Sequence, residues 1–186
     1  MTAPMTTYVS LLRAVNVSGQ NMIRMAELKT SFEALGFEEV TTYLQSGNVV
    51  FKAGKAEPRR HAASVKARIA KDFGHDVGVL VLTSGELDVI ATSNSLWPGP
   101  GADEKLFHGT CLFRPVSEDD FRKVKLPVQP GEQAVLAGQV VYLHCPNGYG
   151  RTKITNAFFE KALAVPATTR NWRTVLALRG LCGRGA

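Results

Sequence analysis

The feature that most constrains this chain is the order in which two hydrophobic periods alternate over residues 7–83. Residues 7–15, TYVSLLRAV, form an apolar, β-prone run and read as a strand. Met25, Leu28, Phe32 and Leu35 recur at helical spacing, and Gly36 follows where a helix-ending glycine belongs. VTTYL and NVVFK are short strands joined across Gln45–Ser46–Gly47, which predicts a hairpin. A second helix is expected over 58–73, with Ala62, Val65, Ile69 and Phe73 on one face and Lys and Arg opposite. The strand VGVLVLT, 77–83, closes the series. The order β-α-β-β-α-β is the split arrangement called ferredoxin-like, two helices on one face of an antiparallel sheet.

Beyond it, Thr83-x-x-Glu86 has the form of a capping box opening a short helix to about Thr92. NSLWPGPGADEK is rich in Pro and Gly, so 95–103 reads as a linker between subdomains at 6–94 and 104–182. The second subdomain begins with the strand KLFHGTCLFR, then a short helix after Ser117 with acid at its positive end. A hairpin, EQAVLAGQVVYLH, turns at Gly138, and two helices are expected at about 152–163 and 170–181. The expected fold class is therefore α+β, a ferredoxin-like β-α-β-β-α-β subdomain followed by a β-α-β-β-α-α one. QSGNVVF and LAGQVVY are alike, a hint of paired sheets.

Composition narrows the class. With 186 residues, 45% hydrophobic and 20% charged, the chain can bury a core, which excludes disordered and fibrous architectures. A net charge of +6 and a pI near 9.4 suit polyanionic partners such as nucleic acid, or an ordinary basic surface. Cys111, Cys145 and Cys182 are odd in number and far apart, which favours free thiols in a reducing compartment; a cytoplasmic location is expected. MTAPMTTYVSLLRAVNV lacks a cationic segment ahead of its apolar run, so no signal peptide is read. No stretch approaches the ~18 apolar residues of a membrane span, so no membrane partner is expected. His61, His75, His108 and His144 are scattered without metal-ligand spacing, and neither metal nor cofactor is called for.

Four stretches carry polar residues out of step with the apolar pattern. The first runs from Arg13, inside an apolar strand, through Asn16 to Arg24. The second is Gln45–Ser46–Gly47–Asn48, where turn chemistry explains the centre and leaves Gln45 and Asn48 as ladder residues or ligand contacts. The third is PNGYGRTK, 146–153. Gly148 and Gly150 allow a sharp turn, Asn147 precedes them, and a helix expected from Thr152 would aim its N–H groups at an anion, with Arg151 and Lys153 alongside. It is not a Walker loop, since the G-x-x-x-x-G-K-[ST] spacing is absent. The fourth is TTRNWRT, 168–174, where Thr169 or Asn171 would cap the last helix, and Arg170 and Trp172 offer a guanidinium and an indole to a base or to the core.

Together LLRAVNVSGQNMIRMAELK, TYLQSGNVVF, PNGYGRTKITNAFFEKAL and TTRNWRTVLAL resemble the bacterial family catalogued as domain of unknown function number 1697. The resemblance runs from about Tyr8 to Leu181 and implies an α+β protein of two subdomains, the first ferredoxin-like. It implies no activity. The family-like positions are Arg13, Asn16, Gln45, Ser46, Gly47, Asn48, Asn147, Gly148, Gly150, Arg151, Lys153, Arg170, Asn171, Trp172 and Thr174. The familiar pattern has glycine where this chain has Ala14 and Ser18.

Three functions fit these residues. One is a binding module for phosphate-bearing ligands, nucleic acid or nucleotide, resting on net charge and the two cationic stretches. Another is an enzyme on a small phosphorylated or nucleotide substrate, with Asn, Gln and Arg positioning it. The third is an assembly module that pairs, as a homo-oligomer, through sheet edges.

Overall fold

The computed structural model describes residues 4–183. The chain divides into two compact units, one made of residues up to Asp88 together with the chain from Leu178, the other running from Val89 to Ala177. The stretch 95–103, read from the sequence as a linker, lies inside the second unit.

In the first unit, β1 (Met5–Leu12), α1 (Met25–Glu33), β2 (Glu38–Tyr43), β3 (Asn48–Gly54), α2 (Pro58–Phe73) and β4 (Val79–Thr83) follow the expected order. The strands form one antiparallel sheet in the order β2-β3-β1-β4. Alternation sends Tyr8, Leu12, Val49, Phe51 and Val81 to one face, where Leu28 and Phe32 of α1 and Val65 and Ile69 of α2 complete the core. Each fully buried aromatic there contributes roughly 2–3 kcal/mol. Proline in the first turn of α2 and left-handed Gly74 at its end set its limits. The Tyr8 hydroxyl donates to the Ala56 carbonyl at 2.9 Å and accepts from the Ala56 N–H at 3.0 Å, so the entry to α2 is tied to the central strand.

After β4, α3 (Ser84–Thr92) opens with the expected capping box: the Thr83 N–H donates to Glu86 Oε2 at 2.8 Å and the Glu86 N–H to Thr83 Oγ1 at 3.1 Å.

The second unit holds β5 (Phe107–Leu112), α4 (Glu118–Arg122), β6 (Gln133–Ala137), β7 (Val140–His144), α5 (Asn156–Leu163) and β8 (Ala167–Asn171), followed by α6 (Trp172–Gly183). Its sheet order, β6-β7-β5-β8, repeats that of the first. Here the expected β-α-β-β-α-α order is corrected. A strand, β8, lies between the last two helices and completes a second ferredoxin-like unit. Its sequence, ATTRN, offers no apolar alternation because Thr168 and Arg170 occupy buried positions. Register settles the matter: Ala167 to Asn171 pair antiparallel with Leu112 to His108.

Candidate functional site

The first two polar stretches meet at one end of the first sheet. Asn16 holds them together. Its Nδ2 donates to the Gln45 carbonyl at 2.8 Å and to the Ile23 carbonyl at 2.9 Å, while its Oδ1 accepts from the Ile23 N–H at 2.8 Å. Asn21 Nδ2 donates to the Ala14 carbonyl at 3.0 Å. Asn48 is fully buried and donates to the Tyr43 carbonyl and to Ser46 Oγ, both at 2.9 Å. These amides therefore brace the loops. Arg13 is half-buried, its N–H donating to the Gly78 carbonyl at 2.8 Å. Gln45 is exposed at the tip of the β2–β3 turn.

The loop's shape depends on left-handed backbone. Ala14, Asn16, Ser18 and Asn21 have φ of 55°, 54°, 51° and 46°, and Leu44 in the neighbouring turn has 56°. Two of these, Ala14 and Ser18, are the positions where the resemblance leads one to expect glycine, the residue that enters this region without strain. At Gly47 glycine is required twice over: φ is 74°, and a Cβ would lie 2.7 Å from Leu12 Cβ.

The other two stretches lie in the second unit. Trp172 is fully buried, with its ring 5.9 Å from that of Tyr142. It belongs to the core rather than to a stacking surface. Arg170 is 7% exposed and donates to Thr168 Oγ1 at 2.7 Å and to the Thr169 carbonyl at 3.1 Å; burial pulls its guanidinium down to about 10, so it stays charged at neutral pH. Of the two expected caps on the last helix, Asn171 fills the role and Thr169 does not, although both belong to β8. Asn171 Nδ2 donates to the Lys105 carbonyl at 3.2 Å and lies 3.3 Å from His108 Nε2, and its Oδ1 accepts from the Arg173 N–H at 3.0 Å.

PNGYGRTK departs from expectation at its helix. Tyr149–Arg151 form a single 3-10 turn, Thr152 is extended, and α5 begins only at Asn156, capped by Thr155 Oγ1, which accepts from the Phe158 N–H. Within the stretch the N–H groups of Gly148, Arg151 and Thr152 are spent on the carbonyls of Cys145, Gly148 and Tyr149. At α5, the Asn156 N–H donates to the Tyr149 hydroxyl. No cradle of helix N–H groups therefore stands beside Arg151 and Lys153. What the loop presents is charge. Thr152 and Ile154 are buried at 8% and 0%, while Arg151 and Lys153, which alternate with them, are exposed, and neither is ion-paired among the described residues. The loop is braced from below by Gln129 Nε2, which donates to the Arg151 carbonyl at 2.9 Å. Gly148, at φ 87°, makes its sharp bend; Asn147 and Gly150 are exposed beside it.

Sequence reasoning missed the polar cluster beneath this loop. Thr169 Oγ1 donates to Asn156 Oδ1 at 2.9 Å and lies 2.8 Å from Thr110 Oγ1, and Asn156 Nδ2 donates to the Ala167 carbonyl at 3.1 Å. The His108 ring stacks on Tyr149 with centroids 4.5 Å apart. Because Asn171 donates to Nε2, the ring proton of neutral His108 sits on Nδ1, which is buried and has no partner. Burial pushes His108 down to about 4. Thr110, Asn156 and Thr169 sit on core-facing positions of β5, α5 and β8, so only the pairing of β8 with β5 reveals them as neighbours.

Burial pushes the thiols of Cys111, Cys145 and Cys182 up to about 11, so none supplies a thiolate near neutral pH. Among the described residues no group of three or more His, Cys, Asp or Glu could hold a metal ion, and no helix is long and apolar enough to cross a membrane. Two clefts open elsewhere. One of about 560 Å³ is flanked by Arg114, Lys123 and Phe158, the other of about 490 Å³, in the first unit, by Lys29, Lys52 and Cys182. PNGYGRTK lines neither.

A family model described as a protein of unknown function, DUF1697, matches residues 5–142. No curated protein matches the chain. A solved structure described as conserved bacterial protein SP0830 from Streptococcus pneumoniae is similar over 96% of this chain and 99% of that one, with a TM-score of 0.72 and 20% identity; the likeness is one of fold.

Proposed function

The chain belongs to the DUF1697 family of proteins of unknown function, and from the geometry of its second unit we propose that it is a binding protein for phosphate-bearing polymers, with single-stranded nucleic acid as the ligand. The observation that carries this reading is the pair Arg151 and Lys153, both exposed, neither ion-paired among the described residues, separated by the buried Thr152. A loop braced by Gln129 and Tyr149 holds two cations at little further entropic cost, which favours a polyanion over free counterions. Asn147 and the backbone at Gly150 lie within the same exposed loop and serve as hydrogen-bonding contacts to phosphate or sugar. A loop that lines neither of the two clefts described suits an extended polymer better than a mononucleotide, whose recognition calls for an enclosing pocket. The buried Trp172 and Arg170 take no part. The chain would act in the cytoplasm, in keeping with three free cysteines.

The test is a titration of labelled single-stranded RNA and DNA at low and at physiological salt, with wild type beside an Arg151→Ala/Lys153→Ala variant. Affinity falling steeply with salt is expected, and the variant should lower the slope of log affinity against log salt by about 1–1.5. An unchanged slope in the variant, or competition by a mononucleotide at equal concentration, would remove this reading.

A further inference from the structure

We infer that β6, the outer strand of the second unit, is a docking edge for β6 of a second copy of this chain, the two strands pairing antiparallel about Val135. The direction of its backbone groups follows from register. Leu112 N–H donates to the Gln139 carbonyl and Cys145 N–H to the Leu106 carbonyl, so odd-numbered β7 positions bond to β5. Val140, Tyr142 and His144 therefore bond to β6, through Ala137, Val135 and Gln133. The N–H and C=O groups of Ala134 and Leu136 are left pointing away from the sheet. Neither residue's backbone finds a partner among the described residues, and both are partly exposed although their side chains pack into the core.

The other three edges are closed. On β2 the register shifts between Glu38 and Thr41, Glu39 is left-handed at φ 49°, and the adjacent Glu38 and Glu39 put like charges along the edge. The outward residues of β4, Val79 and Val81, are 9% and 4% exposed, which leaves no room for a further strand. The outward groups of Ala167 on β8 are taken by α5, Glu160 Oε1 accepting its N–H at 2.9 Å and Asn156 Nδ2 donating to its carbonyl at 3.1 Å. β6, with the sequence QAVLA, has no charge, no proline and no bulge.

The same strand is self-complementary. In a two-fold antiparallel pair centred on Val135, Ala134 of each copy exchanges both backbone bonds with Leu136 of the other. Gln133 then faces Ala137, so no like charges meet, and the partly exposed Val135 side chains touch across the axis, where a non-hydrogen-bonded pair brings them closest. Such an edge interface is small, so the dimer is expected to be weak and concentration-dependent.

Sedimentation velocity over a wide concentration range tests this. Wild type should shift from monomer towards dimer. Ala134→Pro removes the outward N–H at an edge-strand position, where proline is tolerated, and should stay monomeric. Val135→Glu and Val135→Lys should each stay monomeric alone and form a heterodimer when mixed, a result that misfolding would not give. Slowed hydrogen exchange at Ala134 and Leu136 in concentrated wild type is the matching local signal. The inference is overturned if wild type stays monomeric throughout, or if its dimer survives in both Ala134→Pro and Val135→Glu.

Discussion

The side-chain amide of Asn16 donates to the Gln45 carbonyl at 2.8 Å, across 29 positions of sequence. With its reciprocal pair of bonds to Ile23, this side chain ties the loop after β1 to the β2–β3 turn and to the entry of α1. Asn16→Ala removes all of these bonds at a left-handed position. A loss of about 2–3 kcal/mol in urea unfolding is expected. A loss below about 0.5 kcal/mol would mean that the loop holds its shape by other means.

Ala14 and Ser18 are left-handed without being glycine. Ala14→Gly and Ser18→Gly should each stabilise the protein by about 0.5–1 kcal/mol, because the strain relieved exceeds the entropy added to the unfolded chain. Thermal unfolding of the single variants checks it; a lower midpoint for both would show that the strain is fully compensated.

Gly47 and Gly148 separate two reasons for glycine. Both have positive φ, but a Cβ at Gly47 strikes Leu12 at 2.7 Å, whereas one at Gly148 meets nothing within 4 Å. Gly148→Ala should cost about 1–3 kcal/mol from backbone strain alone. Gly47→Ala adds overpacking and should cost at least about 1 kcal/mol more. Equal losses would put the close approach in doubt.

Acid sensitivity should follow His108. Its folded value, about 4, lies below the ordinary 6.5 because burial withholds water from the charged imidazolium. The unfolded chain therefore binds the extra proton first. Stability contributed by the neutral ring is intact above pH 6.5 and is lost as pH falls towards 4, by about 3 kcal/mol in all. His108→Phe, which keeps the stack, should flatten stability over that window; an unchanged pH profile would remove His108 as the cause.

How much of this was legible in sequence depends on which period each element carries. α1, α2 and the hairpins stand out because apolar residues mark their faces. The capping box at Thr83 and Glu86 was legible for the same reason that it works, since its two partners are three residues apart. β8 was not, because Thr168 and Arg170 are buried in a strand whose neighbour lies some 60 residues away, at Cys111 and Gly109. The start of α5 was misplaced because Gly148 and Gly150 imitate a helix entry, while the true cap is Thr155. The four polar stretches were legible as unusual, but their division into bracing amides and exposed cations was not. Asn16 and Arg151 differ in what lies across from them, and a linear pattern does not record that.

α6 begins at Trp172, in the second unit, yet its residues from Leu178 onward are part of the first, where Arg179 Nε donates to Asp88 Oδ1 at 2.7 Å. During synthesis, then, the unit whose strands leave the ribosome first waits for residues from Leu178 onward, made after the whole second sheet, before it is whole. A chain cut after Ala177 would keep every strand of the second sheet while its first unit lost the Arg179–Asp88 bond.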